Sequence, residues 1–183
     1  MDGVSVDGKL DGGTIQAPRE FFCIVIVYAP TACHAREALF QRLSSVLPLH
    51  DRPIILGGYF NCTLNAQLDR SFSVPGGRHD SPSQRGLTEQ TCVIDALEEA
   101  LEQAADNRGY RYFYTRNRTY FYQLPTGGTA SSRLDRWYIN IQHTSLIRDL
   151  EQSVPGPIVD HNGVTVRIGA PSQTVTVRKP RRV

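Results

Sequence analysis

Four places in the 183-residue sequence put polar side chains directly at the end of an apolar, strand-forming run. Tyr28 closes residues 21–28 (FFCIVIVY), and Gly57-Gly58-Tyr59-Phe60-Asn61 follows the short run Ile54-Ile55-Leu56. Ser132-Arg133-Leu134-Asp135-Arg136 leads into a third run, and Asp160-His161 stands just before a fourth. Phenol, carboxamide, carboxylate and imidazole are side chains that hydrogen-bond and titrate. A rigid sheet holds such groups fixed at its rim, as precise chemistry requires. Taken singly, each has an ordinary explanation. Gly-Gly before an aromatic is usually a turn, Asp135 between Arg133 and Arg136 a surface ion pair, and His161 a loop histidine. A tyrosine ending an apolar strand is usually packing.

The elements that would carry these residues can be read in order. Residues 1–20 are rich in Gly and Asp and read as loop, with one edge strand around Val4–Val6. Residues 21–28 are nearly continuously apolar, which predicts a strand covered on both faces. A helix is expected from Thr31, with Ala35, Leu39, Leu43, Val46 and Leu47 on one face and Pro48 closing it. A short buried strand follows from Pro53 to Leu56, stopped by Gly57-Gly58. Strand, helix and strand in this order imply a layered α/β arrangement. Residues 70–83 read as loop and about 83–105 as one helix carrying Leu87, Ile94, Leu97 and Leu101. Residues 110–114 and 119–124 read as aromatic strands, 125–128 as a turn, 133–141 and Gly163–Ile168 as further strands. The expected division is a loop-rich segment 1–20, a domain 21–170 and a basic flexible tail 171–183.

Bulk properties set wide bounds. The length suits one domain with a sizeable core. Hydrophobic content of 40% and charged content of 21% are ordinary for a globular protein, and a formal charge of +2 decides no partner. The four cysteines, Cys23, Cys33, Cys62 and Cys92, show no CxxC spacing, so free thiols are expected rather than zinc ligands or disulfides. Residues 1–20 lack the apolar core of a signal peptide, and no run reaches the ~20 apolar residues of a membrane span. The expectation is an intracellular protein, nuclear or cytoplasmic, with no membrane partner.

In sequence, Tyr-Ala-Pro (28–30), Gly-Tyr-Phe-Asn (58–61), Ser-Arg-Leu-Asp-Arg (132–136) and Asp-His (160–161) resemble the endonuclease/exonuclease/phosphatase superfamily. The likeness is to the endonuclease domain of LINE-type (non-LTR) retrotransposons in particular, carried by VYAP at 27–30, Leu68-Asp69-Arg70 and SSRLDRWYIN at 131–140. That resemblance implies an α+β fold, a four-layer α/β sandwich of two packed sheets flanked by helices, with the site where strand-end loops converge. It implies that Asp135 orients His161, that Tyr28 and Asn61 hydrogen-bond the scissile phosphate or attacking water, and that Asp160 serves a metal site. Mg²⁺, with Mn²⁺ as a substitute, is the implied cofactor and DNA the implied partner; no obligate protein partner is implied.

Two departures qualify the expectation. The family pattern at the second segment is Gly-Asp-Phe-Asn, whereas this chain has Tyr59. A phenol of pKa ~10 is neutral near pH 7 and a poor ligand for a hard cation. The family's fold also begins with strands bearing an asparagine and then a glutamate, and residues 1–20 hold no such motif, so the chain reads as truncated at the N-terminus. The expectation is therefore a DNA phosphodiester hydrolase with impaired cleavage. Two alternatives remain: a non-catalytic nucleic-acid-binding remnant, for which residues 108–122 interleave aromatics and arginines, and a phosphatase of the same superfamily. Burial of alternate aromatics by two neighbouring strands would give the same interleaving.

Overall fold

A computed structural model describes residues 11–17, 20–47, 53–72, 79–103, 118–153, 160–169 and 175–178. The apolar run becomes β2 (Glu20–Tyr28), with β1 (Asp11–Ala17) antiparallel on one side and β3 (Ile54–Tyr59) parallel on the other. Strand β3 pairs antiparallel with β7 (Asp135–Asn140), which pairs with the short β4 (Val93–Asp95). The sheet order is β1-β2-β3-β7-β4. Helix α1 (Cys33–Val46) makes the crossover between the parallel strands β2 and β3. A short α2 (Ala66–Asp69) and α3 (Pro82–Gln90) follow β3, and α4 (Ala96–Gln103) follows β4. Hairpin β5 (Tyr120–Gln123) and β6 (Thr129–Ser132) precedes β7. A 3-10 turn at Ile141–Leu146 leads to a second sheet, β8 (Ile147–Ser153), β9 (Gly163–Ile168) and β10 (Val175–Arg178), in the order β10-β9-β8.

The continuous apolar runs are explained by two cores. Successive strand residues point to opposite faces. Val25, Val27, Ile54, Leu56 and Tyr138 therefore meet Leu39, Phe40 and Leu43 of α1 and Leu87 of α3 on one face. Phe22, Ile24, Ile55, Trp137 and Ile139 meet Val164, Val166 and Ile168 of β9 on the other. The packed sheets and flanking helices are those of the expected sandwich, and helix, sheet and sheet are the layers the described residues build.

Several local expectations are corrected. Gly57-Gly58 does not stop β3, which runs through both to Tyr59. The glycines permit close approach instead. A Cβ on Gly57 would sit 2.1 Å from the Trp137 ring, and one on Gly58, at φ +132°, would sit 2.1 Å from the Val27 carbonyl oxygen. Gly58→Ala is expected to cost about 2–3 kcal/mol, from strained backbone and overpacking against main chain. Chemical denaturation checks this, and a loss below about 1 kcal/mol would contradict it.

The long helix expected over about 83–105 is instead α3 and α4 with β4 between them. Thr91 ends α3, Cys92 takes φ +50°, and the following apolar pair enters the sheet beside β7. On α1, Arg36 is buried where Val46 was expected, and Val46 is 48% exposed. Asp11–Ala17, read as loop, pairs along β2, and Val175–Arg178, read as tail, pairs with β9. The strands expected at 4–6 and 110–114 lie outside the described residues. None of the four cysteines is in a disulfide, and burial pushes the Cys62 thiol up to about 12.

Candidate active site

Strand register gathers three of the candidate residues before any side chain is considered. Tyr28 is the cross-strand partner of Tyr59, and Tyr59 of Asp135, so the three lie in one row across β2, β3 and β7. Asn61 follows two residues on, at φ +55°, a left-handed conformation that asparagine tolerates better than most residues. Its amide nitrogen donates to the Ala29 carbonyl at 3.3 Å, which turns its oxygen toward the Tyr59 hydroxyl at 3.0 Å. His161 arrives from the other sheet, just before β9, through an isolated bridge to Tyr120.

Asp135 and His161 meet. The Nδ1 of His161 lies 2.8 Å from Oδ2 of Asp135, with the carboxylate side chain 1% and the imidazole 11% exposed. A buried carboxylate at this distance fixes which ring nitrogen bears the proton and favours the charged imidazole. Thr119 holds both partners in place. Its hydroxyl oxygen accepts the N–H groups of Leu134 and Asp135, each at 3.1 Å, and its carbonyl accepts the N–H of Asn162 at 2.7 Å. Sequence reasoning did not single out Thr119, and it marked Tyr120 only as one of the aromatics interleaved with arginines over residues 108–122.

Tyr59 is only 6% exposed and is built into the site. Its ring meets the His161 ring edge-on, centroids 4.9 Å apart, and lies 5.5 Å from the Tyr28 ring. The Tyr120 ring lies 4.7 Å from that of His161, tilted by 32°. An open cleft of about 330 Å³ adjoins these groups, lined by Tyr59, Asn61, Arg70, His79, Tyr120 and Tyr122 among others. Desolvation first, then the charges of Arg70 and Arg36, hold His79 below the usual histidine range.

Arg133 and Arg136 are not at the surface, where adjacency suggested an ion pair with Asp135. Both are buried: Arg133 binds Asp95 at 2.5 Å, and Arg136 binds Asp69 at 2.5 Å and approaches Asp95 at 3.6 Å. Asp69 of the Leu68-Asp69-Arg70 element is thus structural. Its carboxylate also accepts the N–H groups of Leu64 and Asn65 at 2.8 and 2.9 Å.

Among the described residues, the donor set does not by itself complete a site for a divalent cation. Mg²⁺ demands near-octahedral oxygen coordination, anchored by carboxylates. Among the described residues, no group of three or more His, Cys, Asp or Glu side chains comes together to hold a metal. Asp160 is exposed, its carbonyl accepting the Phe121 N–H at 3.1 Å, and the second carboxylate position carries the Tyr59 phenol.

Solved structures share this architecture. The endonuclease domain of TRAS1, a telomere-specific non-LTR retrotransposon, matches 88% of this chain at TM-score 0.57 and 12% identity. The fold is that of the endonuclease/exonuclease/phosphatase superfamily. A 3′ phosphatase, NExo from Neisseria, bound to a product DNA hairpin, matches 88% of the chain at TM-score 0.59 and 13% identity. An AP endonuclease from Archaeoglobus fulgidus matches 88% at TM-score 0.56 and 12% identity. The chain spans 64%, 65% and 70% of these three superfamily members. No protein-family model matches the sequence, and no curated protein matches it. No helix among the described residues is long and apolar enough to cross a membrane.

Proposed function

We propose that this chain is a DNA-directed phosphodiester hydrolase domain of the endonuclease type, of retrotransposon origin, in which hydrolysis is impaired. The observation that carries the reading is the buried Asp135–His161 pair, held at 2.8 Å at the rim of a sheet. In this role Asp135 accepts the Nδ1 proton and keeps the imidazolium charged and aimed, and His161 steadies the negative charge on a phosphate in the cleft. Tyr28 and Asn61 hydrogen-bond that phosphate or the attacking water, and the Arg70 charge at the cleft draws the backbone in. Tyr59 contributes to the impairment without being its only source: it supplies a neutral hydroxyl, already donated to Asn61, where the superfamily pattern has a carboxylate. Affinity for Mg²⁺ or Mn²⁺ is correspondingly low.

Supercoiled plasmid tests the reading. With Mg²⁺ and protein in excess over plasmid, slow nicking is expected, abolished by EDTA and reduced at least about 100-fold by His161→Ala, the scale of losing an aimed general acid or charge stabiliser. Rapid multiple-turnover nicking would overturn the impairment. DNA binding with no nicking at all would favour the non-catalytic binding reading, which the aromatic lining of the cleft supports.

A further inference from the structure

Five aromatic rings form an unbroken row through the site. Tyr28 to Tyr59 is 5.5 Å, Tyr59 to His161 is 4.9 Å, His161 to Tyr120 is 4.7 Å and Tyr120 to Tyr122 is 5.3 Å between centroids. Those spacings lie in the range of favourable ring pairs. The row crosses from the β2 and β3 ends to hairpin β5–β6, so it is built by elements from both ends of the domain. Core packing does not account for it. Tyr28 is 37% exposed, Tyr120 and Tyr122 are half-buried, and Tyr59, Tyr120 and Tyr122 line the open cleft. Alternation on β5 sends Phe121 the other way, to 40% exposure.

We propose that this row is a stacking platform for an unpaired nucleobase, so that the chain prefers single-stranded or locally opened DNA over intact duplex. Aromatic faces accept any base, because every base has a π-face, whereas a base inside a duplex offers no free face. The surroundings suit the rest of a nucleotide. Asn61, Ser132 and Thr31 give the cleft polar atoms for base edges. Arg70 lies at its side, its Nη2 donating to the Tyr122 hydroxyl at 3.2 Å, and pairs with no acid among the described residues, so its charge remains for a phosphate. Tyr59 takes on a positive role here. The ring that displaces the expected carboxylate joins Tyr28 to His161 and closes what would otherwise be a gap in the row.

The inference takes DNA as the partner from the proposed function and adds the base-stacking mode. The test separates the two. Binding is measured in EDTA, without hydrolysis, by anisotropy and 2-aminopurine fluorescence. Three probes of equal length are compared: a single strand with one 2-aminopurine, its duplex, and a strand of abasic residues. Tighter binding of the base-bearing single strand, with quenching of 2-aminopurine, is expected. Tyr120→Leu should weaken it about 5- to 150-fold, from the ~1–3 kcal/mol a stacked base contributes, while Tyr120→Phe retains it. Phe121→Leu, on the opposite side of β5, serves as the control that leaves binding unchanged. Equal affinity for base-bearing and abasic strands would overturn stacking while leaving DNA binding intact; no affinity for any probe would overturn both. An unchanged Tyr120→Leu variant with native circular dichroism would also overturn it.

Discussion

Asp69→Ala lowers the stability of the domain by about 3–5 kcal/mol, the scale for removing one partner of a buried ion pair. Both side chains of the Asp69–Arg136 pair are fully inaccessible. Without the carboxylate, the Arg136 guanidinium loses its shortest ion pair and is left with longer contacts, among them Asp95 at 3.6 Å and the carbonyls of Arg133 and Cys62 at 3.1 and 3.4 Å. The N–H groups of Leu64 and Asn65 lose their acceptor as well. Asp69→Asn retains a neutral acceptor and is expected to lose less. Urea denaturation at pH 7 measures both, and a loss below about 1 kcal/mol for the alanine variant would contradict the assignment. The pH profile gives an independent check. Burial alone would raise the Asp69 pKa, but the Arg136 charge, the Asn65 N–H and the Arg133 charge together hold it below its ordinary 3.8. A depressed folded-state value stabilises the fold above the unfolded-state pKa and ceases to do so as pH falls through the folded one. The wild-type chain therefore loses stability steeply below about pH 4, and the alanine variant less so. The functional consequence is positional. Arg136 and Asp135 are successive residues on β7 and point to opposite faces, so anchoring the first fixes the carboxylate that meets His161.

What could be read from the sequence divides along the range of the interactions concerned. Strand β2, helix α1 and the hairpin turn at 125–128 carry their own signals, in apolar runs, helical spacing and Gly-Gly, and all three stand where expected. The meeting of Asp135 with His161 was expected from the family resemblance alone: Asp135 opens β7 and His161 stands just before β9, and nothing local to either pairs them. The destinations of Arg133 and Arg136 were not legible. Each pairs with an acid 38 or 67 residues away, and adjacency in sequence pointed to the wrong carboxylate. Gly57-Gly58 was misread for a related reason: a turn is the local meaning of the pair, and only the Trp137 ring and the Val27 main chain reveal the need for empty space. Strand β4 was hidden inside a helical pattern because three residues are too few to impose a period of two against their flanks. The ring row was half visible. Its aromatics are plain in the sequence, but the burial of Tyr59 between Tyr28 and His161 depends on β2, β3 and the second sheet at once.

Tyr59→Asp, which restores the superfamily letter, is expected to destabilise this chain by about 3–5 kcal/mol and to leave nicking no faster. The stability loss has two sources. Removing a ring that is 94% inaccessible, by the 6% exposure of Tyr59, leaves a cavity between Tyr28 and His161 on the scale of other aromatic truncations. The new carboxylate also stands beside its cross-strand partner Asp135, and like charges at that spacing repel. Hydrolysis does not follow from one carboxylate, because Asp160 remains exposed and a hard cation needs several oxygen ligands at once. Two further variants separate the terms. Tyr59→Phe keeps the ring and loses the hydroxyl bond to Asn61, so about 1 kcal/mol is expected. Tyr59→Asn introduces the cavity without the charge, and the difference between it and Tyr59→Asp isolates the repulsion from Asp135. The stacking platform supplies a further readout. Tyr59→Phe should hold single-stranded DNA as the wild type does, while Tyr59→Asp and Tyr59→Asn should both weaken it, since each breaks the row. Faster plasmid nicking by Tyr59→Asp would show instead that this one side chain is what restrains hydrolysis, and that the remaining donors suffice for the metal.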